Sequence, residues 1–242
     1  MTTTRYLEIA DELAAELAGA PAGSRVEGEH GIGRRFGVGR AAARAALQEL
    51  ERRLVVRRVQ GAGTFVNRRI DYVIGHDRRP SWHETVTAAG ARPRTVVRSI
   101  DPLPLPEEHA AALGVPVGTP CHHLVRQFYI DDLLASRVHE WVPRDVVADL
   151  DLAVQAAESL DLVLRQVGRV EPVRAWCRVS LEVPPPDVCT GLEIEPSRPV
   201  WLVESVSRDA ESGRPVMCSR AWTRSDAVRV VVELGSAPEG ER

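Results

Sequence analysis

The sequence contains no lysine: all 31 of its basic residues are arginine. Selection for the guanidinium fork would not remove every surface lysine, so coding bias accounts for the pattern. No apolar run reaches the length of about eighteen residues that a membrane-spanning helix needs. The opening MTTTRYLEIADEL also lacks the basic-then-apolar layout of a secretory signal, so a cytoplasmic protein with no membrane partner is expected. Only four cysteines occur, Cys121, Cys177, Cys189 and Cys218. They are scattered, with no C-x-x-C and no histidine at ligand spacing, which argues against a zinc site or a disulfide framework. The spacing predicts reduced, mostly buried thiols. His122 and His123 adjoin Cys121, but neighbours on a strand point to opposite faces, so no metal and no cofactor are expected.

What remains is a globular composition, 44% hydrophobic and 27% charged over 242 residues, long enough for one large domain or two modest ones. The net charge of −3 hides an asymmetry. Residues 1–69 carry 12 arginines against 8 acids, and residues 70–242 carry 19 against 26. Within 34–69 the ratio is 10 to 2. A basic block beside an acidic remainder suggests that one segment faces a polyanion while the rest does not.

The basic block has a recognisable plan. Tyr6, Ile9, Leu13 and Leu17 recur at helical steps, and Gly19 can end that helix. Residues 29–36 predict a short second helix carrying Ile32 and Phe36. Gly37-Val38-Gly39 then makes a tight corner, and a third helix begins near Arg40. On it, Ala43, Ala46, Leu47, Leu50 and Leu54 share one face, while Arg40, Ala41, Arg44 and Gln48 share another. Two helices joined by a short glycine-containing turn are a helix-turn-helix, whose second helix fits a major groove. The alanines allow close approach, so the two arginines can reach guanine edges or phosphates. Two short β-branched runs around Gly61-Ala62-Gly63 predict a hairpin, with Arg57 and Arg58 placed for phosphates and a slim tip suited to a narrow groove.

Taken together, the Tyr6-to-Leu17 stripe, Glu29, Phe36-Gly37-Val38, Arg40, Arg44, Ala46-Leu47 and the wing Gln60-Gly61-Ala62-Gly63-Thr64-Phe65-Val66 resemble the N-terminal domain of GntR-type bacterial transcriptional regulators. The resemblance implies a winged helix on double-stranded operator DNA, contacted through His30, Arg40, Ala41, Arg44, Gln48, Arg57, Arg58, Gln60, Gly61, Gly63 and Thr64. Several positions depart from the family pattern. Val26-Glu27-Gly28-Glu29-His30 stands where relatives read Leu-Pro-Ser-Glu-Arg, and Gly39, Ala41 and Ala42 stand where Ser and Thr are common. Binding should therefore lean harder on Arg40 and Arg44. A few arginines on one domain bind weakly at physiological salt, so two copies on a two-fold operator are expected.

Residues 70–80 are read as a linker between domain 1–69 and domain 81–242. After Ser81, helices are predicted over 81–90, 106–114 and 159–167. Strands are predicted over 95–100, 122–130, 136–142, 173–183, 200–207, 215–222 and 228–234. Asp131-Asp132 and residues 209–213 provide hairpin turns. Sequential strands with few helices mean an antiparallel sheet of an α+β domain. In 173–181 the alternation sets Val173, Ala175, Cys177, Val179 and Leu181 on an apolar face and Arg174, Trp176 and Arg178 opposite. Arg220, Trp222 and Arg224 repeat the motif. Such pairs can be cation–π contacts, dimer contacts or the wall of an anion pocket.

This half is similar to the UTRA effector-binding domain of the HutC subfamily, on Ser81-Trp82, Gly90 with Pro93, Leu113-Gly114, Arg126, Trp141-Val142-Pro143, Ser159-Leu160, Leu192 and Arg224-x-Asp226. The resemblance implies a six-stranded antiparallel sheet like that of chorismate lyase, a homodimer, and an effector pocket at Ser81, Arg126, Phe128, Glu140, Ser159 and Arg224. Phe128, Val138 and Asp161 stand where the family pocket often carries arginine, glutamate and tyrosine, which weakens the case for an amino-sugar phosphate. Arg126 would hold one carboxylate or phosphate, assisted by Ser81 and nearby backbone donors, with His139 or Glu140 replacing the missing acid. The expected function is a ligand-responsive DNA-binding regulator, a repressor released by a small-molecule effector. The alternative is a lyase-like enzyme with a winged-helix contact module, but no nucleophile motif, metal cluster or carboxylate pair supports it.

Overall fold

The computed structural model describes residues 2–59, 61–75, 81–157 and 159–233, and the chain divides into two compact units, 1–69 and 70–242. The first unit runs α1 (Thr2–Leu17), β1 (Arg25–Val26), α2 (Glu29–Phe36), α3 (Arg40–Arg52), β2 (Val56–Val59) and β3 (Gly63–Val66). Its core is drawn from every element: Ile9, Leu13, Val26, Ile32, Ala43, Ala46, Leu47, Leu50, Val56 and Val66 are buried together. The corner between α2 and α3 turns on Gly37, whose φ of 64° lies in the left-handed region, with Val38 N–H donating to Gly33 O at 3.0 Å. The three strands form an antiparallel sheet in the order β1-β3-β2. Leu54, expected on the inner face of α3, lies beyond the helix end with a left-handed φ of 59° and is half-buried.

The second unit runs β4 (Ile70–Gly75), α4 (Trp82–Ala88), β5 (Pro93–Pro104), α5 (Glu107–Leu113), β6 (Pro120–Ile130), β7 (Leu133–Pro143), α6 (Leu150–Ala156), α7 (Leu160–Gln166), β8 (Pro172–Glu182), α8 (Pro186–Leu192), β9 (Val200–Asp209), β10 (Pro215–Arg224) and β11 (Val228–Glu233). Six strands form one antiparallel sheet, β5-β6-β7-β10-β9-β8, the α+β architecture expected from hairpin-linked strands. One face of the sheet carries α4, α6 and α7, and its apolar clusters form around Leu124, Val142, Leu150 and Leu164 and around Trp82, Val86, Phe128 and Val138. The other face carries α5 and α8 over Cys121, Trp141, Val206, Leu192 and Trp222.

Two expectations change here. Residues 70–75, read as linker, are strand β4, and residues 76–80 lie outside the described residues. The final strand does not join the large sheet. β11 pairs in parallel with β4, Val228 opposite Ile70 through Glu233 opposite Gly75, a pairing between segments more than 150 residues apart that no local pattern announces. Helices α6 and α8 were also not anticipated.

Candidate functional site

Two sites emerge, one in each unit. On the first unit, Arg40, Ala41, Arg44 and Gln48 lie exposed along α3, and His30 is exposed on α2. The two arginines are held in a defined pose. Arg40 Nε donates to Glu29 Oε2 at 2.9 Å, and Arg44 donates through Nε to Glu29 Oε1 at 2.9 Å and through Nη2 to Oε2 at 3.3 Å. The Arg44 and Arg40 hydrogen bonds hold the Glu29 carboxyl well below its ordinary range, at about 2. Glu29 thus spends one negative charge to orient two cations across the corner, and their exposed edges keep donors for an external acceptor.

The wing departs from expectation in detail. Arg57 and Arg58 are neighbours on β2 and so face opposite sides; Arg58 lies 3.7 Å from Glu51, and Thr64 is buried rather than presented outward. Gly61 sits exposed at the tip, whereas Gln60 lies outside the described residues. Gly63, with φ 123°, is held in a backbone conformation that side chains rarely adopt, and a Cβ there would come within 3.3 Å of the Arg25 guanidinium. Arg25 is therefore a wing cation that sequence reasoning missed, because its place is set by β1 pairing Arg25 with Phe65.

The second unit encloses a cavity of about 80 Å³ between the sheet and its cover of β4, β11, α4 and α7. Ser81, Arg126, Phe128, Glu140 and Ser159 all reach its wall. Arg126 and Glu140 face each other across β6 and β7, Nε donating to Oε2 at 2.6 Å, both side chains almost fully buried. The Arg126 guanidinium also lies over the Phe128 ring at 4.7 Å, and Trp82 stacks on Phe128 at 5.2 Å. Ser81 and Ser159 cap their helices, accepting from Glu84 N–H and Leu162 N–H. Asp161 reaches the wall from α7, 3.7 Å from Arg165. Ser205 and Ser219 bridge at 3.0 Å, and Ser136 meets Thr223 at 2.8 Å.

Arg224 does not reach the cavity. It closes a turn by donating from Nε to Asp226 Oδ1 at 3.0 Å and from Nη2 to Oδ2 at 2.8 Å, and Arg198 shares that carboxylate. His139 fails as the replacement acid as well. It lies on the opposite face of the sheet, 3.2 Å from His123, where burial lowers its pKa to about 4. Glu140 takes that place, and it does so by neutralising Arg126. His122 and His123 point apart, His122 contacting Ala148 O at 2.9 Å, and no group of metal-type ligands assembles among the described residues.

This geometry, a helix-turn-helix unit plus a ligand-sized cavity on a six-stranded sheet, has known counterparts. A family profile described as the UTRA domain matches residues 88–229. The chain belongs to the UTRA-domain family. Over 214 residues, 87% of the chain and 82% of the relative, the UTRA protein is 29% identical to the HTH-type transcriptional regulator GgaR of Escherichia coli K12. It is also 29% identical to the probable transcriptional regulator PhnF of the same organism, over 95% of both chains. In fold it resembles the crystal structure of PhnF from Mycobacterium smegmatis, with a TM-score of 0.65 at 22% identity, covering 95% of this chain and all of the other. Relatives named as transcriptional regulators place the UTRA protein with regulators and not with enzymes.

The UTRA cavity has further lining residues that sequence reasoning did not assign to it. Tyr72 and Val230 come from β4 and β11, whose pairing is non-local. Arg174 reaches the wall because β8 carries a bulge between Arg174 and Trp176. Strict alternation had put Arg174, Trp176 and Arg178 on one face. The extra residue, Ala175, sets Arg174 opposite Ser207 and Trp176 opposite Val206, so the arginine changes sides. Trp176 and Arg178 remain together outside, with the guanidinium 5.8 Å from the indole centre. Val173 and Leu181, expected on an apolar inner face, are exposed.

Proposed function

We infer that the protein is a one-component, ligand-responsive transcriptional regulator, in which the 1–69 unit grips operator DNA and the 70–242 unit binds a small anionic effector. The braced pair of Arg40 and Arg44 carries the DNA half: two exposed guanidiniums oriented by one carboxylate, on a helix whose intervening residues are alanines. Arg44 and Arg40 read or position the duplex, His30, Ala41 and Gln48 flank them, and Arg25, Arg57, Arg58, Gln60 and Gly61 supply the wing contacts. Ser81, Phe128, Ser159 and the Arg126–Glu140 pair wall the effector cavity. The markers at Ser81-Trp82, Leu113-Gly114 and Trp141-Val142-Pro143 support assignment to the HutC subfamily, and with it a cytoplasmic homodimer acting as a repressor.

An effector releases such a dimer only by binding one arrangement better than the other. A tenfold preference corresponds to about 1.4 kcal/mol. Footprinting on the DNA upstream of the protein's own gene tests the reading: protection of a two-fold site, lost on addition of a metabolite, supports it. Absence of any protected sequence in dilute salt contradicts it.

A further inference from the structure

The cavity walls contain more charge than the effector reading has used. Among the described residues two acids reach it, and each already faces an arginine: Glu140 is held by Arg126, and Asp161 lies beside Arg165. Arg174 is the wall guanidinium left over, and His83 also lines the cavity. Its Nη2 donates to the Tyr72 hydroxyl at 3.1 Å, and burial pushes the Tyr72 phenol pKa up, so Tyr72 stays neutral and brings no negative charge. Arg174 Nε and Nη1 are shielded from solvent and find no acceptor among the described residues. Buried guanidinium donors without an acceptor are costly, and the β8 bulge that aims Arg174 inward keeps that cost in place.

We propose that Arg174, with Tyr72 beside it, is the anion seat of the effector cavity, and that the effector is a small monocarboxylate and not a phosphate ester. The proposal rests on the effector-binding reading above and moves the anion from Arg126 to Arg174. Arg174 has no carboxylate on its unpartnered nitrogens among the described residues, and one carboxylate supplies it. A phosphate dianion would bring a second charge into a wall whose other guanidinium, Arg126, is already neutralised by Glu140. Arg174 Nε and Nη1 each hold hydrogens still to donate, and Nη1 shares the end-on edge of the guanidinium with Nη2, the edge on which a carboxylate can accept two parallel bonds. Beyond the anion, the stacked Trp82 and Phe128 rings with Met217 and Val228 provide apolar surface for the effector's carbon frame, while the Ser205–Ser219 pair offers hydroxyls to its polar groups.

Calorimetric titration of the full chain tests this with two matched triplets: benzoate, phenyl phosphate and phenol, and glycerate, glycerol 3-phosphate and glycerol. In at least one triplet the carboxylate should bind about tenfold or more tighter than its phosphate and its alcohol, the scale of one charge-assisted hydrogen-bonded contact. Arg174→Gln should erase the advantage of carboxylate over alcohol, and Arg174→Lys, which keeps the charge and loses the fork, should retain part of it. Should Arg174→Gln fail to fold, the ranking within the wild-type triplets decides alone. A phosphate ester that binds best, a carboxylate preference that survives Arg174→Gln, or no saturable carboxylate binding in either triplet overturns the proposal. Gel shifts run alongside separate it from the regulator reading: duplex binding without carboxylate selectivity sinks only the proposal, and carboxylate selectivity without duplex binding sinks only the regulator.

Discussion

Replacing Glu140 with leucine should be among the most damaging single changes in the second unit. The carboxylate is almost fully buried and shares hydrogen bonds with Arg126, itself as deeply buried. Leucine is close in volume, so the cavity left behind is small and the dominant loss is electrostatic: a buried arginine deprived of the Glu140 carboxylate. Breaking one half of a buried pair costs about 3–5 kcal/mol. For a unit of this size, each kcal/mol moves the melting temperature by about 2–4 °C, so its transition should fall by about 6–20 °C. Arg126→Met paired with Glu140→Leu removes both charges together and should recover most of that loss, because two well-packed apolar side chains are worth about as much as the pair. Scanning calorimetry on the full chain reads both variants, provided the transition of the 70–242 unit is resolved. The reasoning is refuted if Glu140→Leu costs less than about 1 kcal/mol, or if the double variant melts as low as the single one. Either result would mean that losing Glu140 does not leave Arg126 uncompensated.

Two further outcomes follow from the first unit. His30→Arg restores a guanidinium to the exposed face of α2, and gel shifts at several salt concentrations should show tighter binding with the log–log salt slope steeper by about 0.9, one added phosphate contact; an unchanged slope places His30 outside the interface. Glu49 is buried against Arg52 and Arg53, whose hydrogen bonds, Arg52's first, hold its pKa at about 2 against an ordinary 4.5. Its folded value is depressed, so its contribution is fully present above about 4.5 and is lost as pH falls toward 2. Thermal melts over that window should decline more steeply for the wild type than for Glu49→Gln, and parallel declines would remove Glu49 from the acid response.

Where a side chain's place follows from local periodicity, it was legible in the sequence. The steps of Ile9 and Leu13, the Gly37 corner and the exposed Arg40–Arg44 pair all follow from helical spacing and one left-handed glycine. The alternation in β6 and β7 likewise brings Arg126, Phe128 and Glu140 to one wall. What the sequence concealed depends on events without a local signature. The β8 bulge is one alanine in an otherwise regular strand, yet it decides which arginine enters the cavity. Residues 70–75 look like a connector because their partner, β11, comes at the far end of the chain. Glu29 was noted as part of a pattern but not as the brace between two arginines, since its partners lie 11 and 15 residues away across the helix-turn-helix corner. Arg224 was misplaced because Asp226, two residues on, captures it locally.

The claim on which the rest depends is that the Glu29-braced arginines of α3 hold duplex DNA. Quantitative gel shifts comparing wild type and Arg44→Ala on the footprinted duplex, with sedimentation to confirm an unchanged oligomeric state, test it most directly. The account predicts that Arg44→Ala abolishes binding at low salt while the assembly stays intact; equal affinity of the two proteins would contradict it.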